Sequence, residues 1–587
     1  PLAEYRSLRC ISLALLEKSN QGEHVMLLNY ISTSSQFRHK ISQVCLLSVM
    51  GVGASIFPTD IQALQGLNTV GLNTVGLNTV GLNNVGLLNG SQNQGANNLA
   101  KTSVNKSRQY ANETAIQFTA GNGDSIAAFS GFFMVPENRQ RADSRLLKLH
   151  YVRFPAATDR PGSPVVYLAG GPGGSGIHTA KGPRYPLFTG LSQYADVIAL
   201  DQRGTGLSND MPNCVSKVVV PVSAAPGQQP QDLQRLDEQK FAALHEQAAL
   251  ECSQFWQQQG ADVLGYTTVQ NALDLEDLRQ HLGANKLTLW GISYGTHLAL
   301  AASKLMPERL DKLILASVEG LDQTVKLPAH TSEYLQRVQQ LIALDPALQA
   351  RWPDITTMMQ QVLAQLSRNP LELTLPQADG KTRSFLFQSL HLQLLTSMSL
   401  ADPNQRLGML LQLYQGLQAQ PEAMKPMLTE LMSSGIFDGF AAGPIELRLM
   451  PLMTDLASGI SPRRLQFFHQ QQPSALIGGM LNFPMPQLNG SIPGLDLGEA
   501  FRQEASHAIP TLVFSGTLDG RTYLAEQQQA VAGLRAKQLV TVRYGGHNLL
   551  ESSPQVLTLI QQFLATGKVN QQVIELPVPD LALSPVK

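Results

Sequence analysis

The pentapeptide Gly291-Ile292-Ser293-Tyr294-Gly295 follows the apolar run Leu287-Thr288-Leu289-Trp290 and precedes His297-Leu298-Ala299-Leu300-Ala301-Ala302-Ser303, a helix-like stretch. A β-run, a turn bounded by glycines and a helix in immediate succession constrain the backbone more tightly than any other part of the chain. Glycine lacks the Cβ that would block so sharp a reversal. A serine at the apex of such a turn stands with its hydroxyl free above the end of the strand. Because Gly and Ser are common and only three positions of the motif are fixed, it recurs by chance, and the flanking elements and the partners decide what it means.

A serine hydroxyl attacks a carbonyl when a base takes its proton and a third group orients the base. In a strand-turn-helix setting the partners follow downstream, acid first and histidine second, each in a loop after a strand. Pro510-Thr511-Leu512-Val513-Phe514-Ser515-Gly516-Thr517-Leu518-Asp519 is a β-run ending in a turn that carries Asp519, the expected orienting carboxylate. Asp322 is its rival, and turn aspartates also bond their own backbone. Leu539-Val540-Thr541-Val542-Arg543-Tyr544 is a further β-run, ending in Gly545-Gly546-His547-Asn548. Of the twelve histidines only His547 lies beyond Asp519, which makes it the expected general base. Ser293, Asp519 and His547 then form an acyl-enzyme, with Asp519 stabilising the imidazolium.

The developing oxyanion needs backbone donors. Val165-Val166-Tyr167-Leu168 is a β-run leading into Ala169-Gly170-Gly171-Pro172-Gly173-Gly174-Ser175-Gly176. Amides in so glycine-rich a loop approach a substrate closely, so an N–H among Gly171, Gly173 and Gly174, together with that of Tyr294, is expected to form the oxyanion hole. A phosphate-cradling loop is the alternative, but no Gly-Lys-Ser/Thr follows and Pro172 removes a donor.

Three motifs now stand in order: Gly170-Gly171-Pro172-Gly173-Gly174, then Asp201-Gln202-Arg203-Gly204-Thr205-Gly206-Leu207-Ser208 after the strand-like Val197-Ile198-Ala199-Leu200, then Gly291-Ile292-Ser293-Tyr294-Gly295-Thr296. Together they resemble the prolyl and tripeptidyl aminopeptidase branch of the α/β-hydrolases. The resemblance runs over roughly residues 115 to 570 and is thin between about 325 and 505. It implies a cofactor-free serine exopeptidase that removes one or a few residues from peptide N-termini, often with proline at the cleaved position. It also implies an acid that holds the free α-amine of the peptide. Glu319 and Asp322, just after Lys312-Leu313-Ile314-Leu315, lie where such an acid could sit, a solvated loop acid being the alternative. Asp201 and Arg203 are expected to pair and to shape the loop around the hole.

With 587 residues, a net charge of −1 and 43% hydrophobic content, the chain can bury a large core and hold more than one domain. There is no basic run, no zinc-like Cys/His spacing and no calcium loop, so neither nucleic acid nor a metal has sequence support. Residues 1–55 resemble a targeting segment, of which 1–25, before Met26, are candidates for not being translated. Arg38-His39-Lys40 flanks an apolar stretch over 41–55 in which Val52-Gly53-Ala54 is a candidate cleavage site. The stretch is short for a membrane span. An exported enzyme, periplasmic or secreted, without stable membrane insertion after processing is expected; a cytoplasmic amphipathic helix is the other reading.

Residues 56–112 hold the repeat Gly66-Leu67-Asn68-Thr69-Val70, recurring from Gly71, Gly76 and, with Asn84 for Thr, Gly81. Such units bury little apolar surface and read as a linker rather than a β-solenoid coil. Cys10 and Cys45 fall in the targeting segment, leaving Cys214 and Cys252 as a disulfide suited to an oxidising compartment or as two buried thiols.

The rest reads as an α/β-hydrolase fold: a mostly parallel sheet with helices on both faces over 113–322 and 506–587, and a helical cap inserted over 323–505. Strands are expected over 127–135 and 146–154, and helices over 232–259 and 269–282. Cap helices are expected over 334–344, 355–366, 385–398, 406–417 and 447–457, their methionines filling the core. A lid of this kind turns a general hydrolase into an exopeptidase by burying the substrate's N-terminus. An esterase or other small acyl hydrolase would use the same triad without needing an acid for an ammonium. A catalytically inactive hydrolase fold used for binding would be expected to show a broken triad, whereas all three members are present in order.

Overall fold

The computed structural model describes residues 109–224, 233–377 and 380–582. The targeting segment, the pentapeptide repeats, Cys10 and Cys45 lie outside the described residues. Strands β1 (Thr114–Thr119), β2 (Ser125–Pro136) and β3 (Leu146–Phe154) form an antiparallel edge. Beside them lie β4 (Val165–Leu168) and β5 (Val197–Leu200), which are wholly apolar and wholly buried, as strands covered on both faces must be. Strands β6 (Cys214–Val220) and β7 (Ser223–Ala224) leave this sheet, and β8 (Leu287–Ser293) and β9 (Leu310–Val318) return to it. Strands β10 (Leu371–Pro376), β11 (Thr382–Phe387) and β12 (Gly443–Leu447) belong to the cap. The sheet is completed by β13 (Thr511–Gly516), β14 (Lys537–Arg543) and β15 (Val573–Glu575).

The ten-stranded order is β1-β2-β3-β5-β4-β8-β9-β13-β14-β15, with every neighbour from β5 to β15 parallel. Along β8 the side chains alternate between two cores: Leu287 and Leu289 face one, Trp290 and Ile292 the other. The helices Thr268–His281 and Tyr294–Leu305 cover the first face through Leu275, Leu278, Leu298 and Leu300. Tyr185–Leu191 and Pro554–Thr566 cover the second through Phe188, Leu191, Ile560 and Phe563. The mostly parallel sheet with helices on both faces is therefore as the alternation of the sequence implied. Ser293 ends one of its parallel strands, and Asp519 and His547 follow the ends of two others.

The cap differs from expectation in two respects. It is not wholly helical: the stretch expected as a helix over 385–398 starts as strand β11, and only Ser389–Ser399 is helical. Its partner β10 alternates Leu371, Leu373 and Leu375 inward with polar residues outward, and Phe385 and Phe387 repeat that period of two across the pair. Nor is the cap confined to 323–505. Strand β6 pairs with β12, and β7 with β11, so part of the segment expected in the core completes the cap. Among the described residues no helix is long and apolar enough to cross a membrane.

Candidate active site

Ser293 closes β8 and opens the helix Tyr294–Leu305 at φ 55° and ψ −130°. A non-glycine residue held there costs about 1–3 kcal/mol, which the surrounding packing must offset. A Cβ on Gly291 would stand 2.5 Å from the carbonyl oxygen of Gly295, and one on Gly295 would stand 2.0 Å from that of Leu168. Both glycines are thus demanded by the close approach of backbone, and Leu168 pairs with Gly291 across β4 and β8. The Ser293 hydroxyl makes no hydrogen bond among the described residues; serine–histidine bonds of this kind often close only around bound substrate.

Asp519 is fully buried in the turn after β13. Its Oδ1 accepts from the amides of Arg521 (2.8 Å) and Thr522 (2.9 Å), and its Oδ2 from Thr522 Oγ1 (2.8 Å) and Gln527 Nε2 (3.2 Å). Burial pushes this carboxyl's pKa up, but the charge and hydrogen bond of His547 and the two amides outweigh it and hold it below 3.8. His547 Nδ1 lies 3.1 Å from both carboxylate oxygens, so Nε2 is the nitrogen left to act as base. Ser317 Oγ donates to the His547 carbonyl (2.7 Å), and the next residue, Val318, pairs with Ser293 across β8 and β9. This register brings the histidine loop to the elbow.

The loop after β4 packs directly on that elbow, since a Cβ on Gly170 would meet Ser293 Cβ at 3.0 Å. Gly171 (φ 125°) and Gly173 (φ 102°) adopt conformations open to glycine alone. Gly174 does not join the expected hole: its amide already donates to the Gly170 carbonyl (3.1 Å), leaving Gly171, Gly173 and Tyr294. Asp201 clamps the same loop, accepting from Ser175 Oγ (2.5 Å) and the amides of Ile177 (3.0 Å) and Leu207 (2.8 Å). Asp201 and Arg203 were expected to pair; instead Arg203 forks onto Asp274 at 2.6 and 2.7 Å. A bidentate guanidinium–carboxylate pair is the stronger arrangement, and Asp201 is already occupied.

A cavity of about 140 Å³ lies between Gly171-Pro172 and the cap. Phe440, Leu452, Leu481 and Phe483 supply apolar wall, while Glu319, Glu446, Asp455, Lys326, Arg448 and Arg521 supply charge. Glu319 is buried, accepts from Lys326 Nζ (2.7 Å) and lies 4.0 Å from His297 Nδ1. Asp322 does not line this cavity. Its two oxygens accept from the Ser461 amide (2.8 Å) and hydroxyl (2.6 Å), tethering the start of the helix Pro462–Gln471. Asp322 is thus corrected from substrate contact to structural tie. Asp455 was missed, although it is the sole charge in the helix Leu449–Ser458. Burial, and secondarily the neighbouring Glu319 charge, raises its pKa well above 3.8. Cys214 and Cys252 form a disulfide. Among the described residues no group of His, Cys, Asp and Glu is arranged to hold a metal.

This elbow, on this sheet, defines a class. Residues 163–554, more than half of the chain, match the family model described as alpha/beta hydrolase fold, and the chain belongs to that family. Over 193 residues it is 32% identical to serine protease Hip1 of Mycobacterium tuberculosis, covering 32% of this chain and 35% of that protein. Over 232 residues it is 26% identical to the tripeptidyl aminopeptidase of Streptomyces coelicolor, covering 38% of this chain and 39% of that one. The matched stretches thus span well under half the length of either relative. The solved structure of an epoxide hydrolase from an endophytic Streptomyces aligns at 12% identity and a TM-score of 0.33, over 79% of this chain and 99% of that one.

Proposed function

We propose that this protein is a serine exopeptidase that releases one or a few N-terminal residues from peptides through an acyl-enzyme. Ser293 attacks the scissile carbonyl as His547 Nε2 takes its proton, and Asp519 stabilises the imidazolium. The amides of Gly171 or Gly173 and of Tyr294 meet the oxyanion. The imidazolium then protonates the leaving amine, and water activated by His547 releases the peptide acid. The observation that carries the exopeptidase reading is the cap-covered cavity beside Pro172 with Asp455 and Glu319 in its wall. A carboxylate in the wall of a cavity roofed by the cap favours a substrate's ammonium, and the cap restricts the room for chain beyond it. Because Glu319 is already paired with Lys326, Asp455 is the acid with most to gain from the substrate's amine. The names of the two curated relatives, a serine protease and a tripeptidyl aminopeptidase, support a peptide substrate. The disulfide Cys214–Cys252 supports an exported enzyme working in an oxidising compartment.

The test is a panel of proline, alanine and tripeptide 4-nitroanilides with free and acylated N-termini, beside short-chain 4-nitrophenyl esters, on wild type and Ser293→Ala. Free-amine anilides are expected to be cleaved and blocked ones to fall about ten- to hundredfold, the worth of a charged hydrogen bond. Ser293→Ala should abolish turnover. Equal cleavage of free and blocked anilides removes amine recognition, turnover of esters alone makes the protein a small acyl hydrolase, and a folded protein inert to all of them overturns the exopeptidase reading.

A further inference from the structure

Two groups of opposite charge face the cavity, near enough to feel each other's charge but joined by no hydrogen bond or ion pair. Asp455 reaches it from the helix Leu449–Ser458, and Arg521 from the turn after β13. Neither side chain makes a hydrogen bond or an ion pair among the described residues, whereas Glu319 and Lys326 in the same wall are joined at 2.7 Å. Asp455 and Arg521 are both half-buried, so a ligand that displaces water from the cavity must supply the hydrogen bonds that water would otherwise give them.

The backbones that carry the two groups are both fixed. The Asp455 helix is pinned to the core by Thr454 Oγ1 donating to the Tyr266 carbonyl (3.2 Å) and by Ser458 Oγ, which lies 3.1 Å from Thr268 Oγ1 and 3.0 Å from His297 Nε2. The Arg521 amide donates to Asp519 Oδ1 (2.8 Å), so its backbone cannot shift without moving the carboxylate that orients His547. With Glu319 hydrogen-bonded to Lys326, a ligand that brings only an ammonium gives Asp455 a partner and leaves Arg521 with through-space attraction to Glu319 and Asp519 but no hydrogen bond. One that brings an ammonium and a carboxylate gives a partner to both.

We propose that the cavity binds the N-terminal part of its substrate as a dipolar unit, with the free α-ammonium at Asp455 and an aspartate or glutamate side chain of the released residues at Arg521. The proposal rests on the exopeptidase reading and adds a specificity-determining residue to it. A guanidinium suits the task because its planar fork matches a carboxylate at two points. Lys326 is committed to Glu319, and Arg448 stands over the oxyanion loop, its Nη2 3.2 Å from where a Gly173 Cβ would be.

The experiment compares kcat/KM for free-amine mono-, di- and tripeptide 4-nitroanilides in matched sets, with Asp, its neutral isostere Asn, Ala or Lys placed in turn at each position. Wild type is expected to favour Asp over Asn about tenfold or more at one position, chiefly through KM. Arg521→Gln should bring that ratio to near one, Arg521→Lys should restore part of it, and Arg521→Glu should favour the Lys substrate. Cleavage of the Ala substrates with an Asp/Asn ratio near one at every position in wild type overturns this proposal and leaves the exopeptidase reading standing. So does an undiminished ratio in Arg521→Gln. If wild type cleaves none of the free-amine anilides, including Ala, the exopeptidase reading falls and takes this proposal with it. The wild-type ratio decides the matter even where a variant fails to fold.

Discussion

The backbone amide of His547 donates to the carbonyl of Ala401, 2.7 Å away in the cap. The histidine loop is therefore held from two sides, by Ala401 from above and by the Ser317 hydroxyl from the core. The same cap turn presses on the acid's loop, for a Cβ on Gly520 would stand 2.4 Å from the Leu400 carbonyl oxygen, and one on Gly546 would stand 2.6 Å from that of Ala401. Cap position and imidazole position are thus one mechanical unit.

Gly546→Ala should consequently impair chemistry more than binding. The added methyl meets the Ala401 carbonyl and Pro403 Cδ (2.5 Å), and relief of that clash moves His547 relative to Ser293. A displacement near 1 Å in a catalytic constellation costs on the order of a hundredfold in rate. Steady-state kinetics should show kcat falling by about that factor with KM changing less. An unchanged kcat in a folded variant would mean that the cap turn does not govern the imidazole.

Asp519→Asn tests the orienting role and carries a stability signature. The neutral amide no longer fixes the imidazole tautomer, so kcat should fall on the order of a thousand- to ten-thousandfold. The wild-type carboxyl has a folded pKa below its ordinary 3.8. A group depressed in this way adds stability that is present above its unfolded pKa and is lost as pH falls through the folded one. Thermal melts of the variant should therefore lose less stability than wild type on acidification below about pH 4.

Asp455 runs in the opposite sense. Burial and the Glu319 charge raise its pKa, so stability linked to it is fully present below the unfolded pKa and is lost as pH rises through the folded one. Asp455→Asn should accordingly melt higher than wild type near neutrality. Function should move the other way, because only the ionised form attracts an ammonium. KM for a free-amine anilide should climb in wild type as pH falls through that raised pKa, and in Asp455→Asn it should be about ten- to hundredfold higher and lack that rise. Equal KM in the two proteins across pH would remove Asp455 from amine binding.

What could be read beforehand follows from how local each signal is. The elbow, Asp519 and His547 each end an apolar β-run in a turn, a pattern complete within ten residues, and their order along the chain supplied the rest. Asp455 carries a local signal too, the sole charge of the helix Leu449–Ser458, but the leucines and methionines around it read as core filling. Strand β10 was overlooked although Leu371, Leu373 and Leu375 alternate inward at a strand's period. Other features have no local signature. Whether Asp322 faces a substrate or Ser461, whether Arg203 reaches Asp201 or Asp274, and whether a cap carbonyl meets His547 are settled by segments far apart in the chain. Gly174 shows the same limit in miniature: glycine identity permits an oxyanion donor, but only the folded loop shows that its amide is already engaged.

The disulfide should matter for the cavity as well as for stability. Cys214 pairs with Leu447 across β6 and β12, and Leu447 lies in the cavity wall between Glu446 and Arg448. Cys252 ties this strand pair to the long helix Glu238–Gln258. Closing a loop of sequence separation 38 restricts the unfolded chain by about 4 kcal/mol on the loop-entropy model. Cys214→Ser and Cys252→Ser, alone or together, should melt at lower temperature than wild type, and the double variant should be insensitive to reductant. Because the bond anchors the wall rather than the triad, KM for free-amine anilides should rise in both single variants while kcat changes less. If kcat collapses with KM unchanged, the bond supports the catalytic loops instead of the cavity.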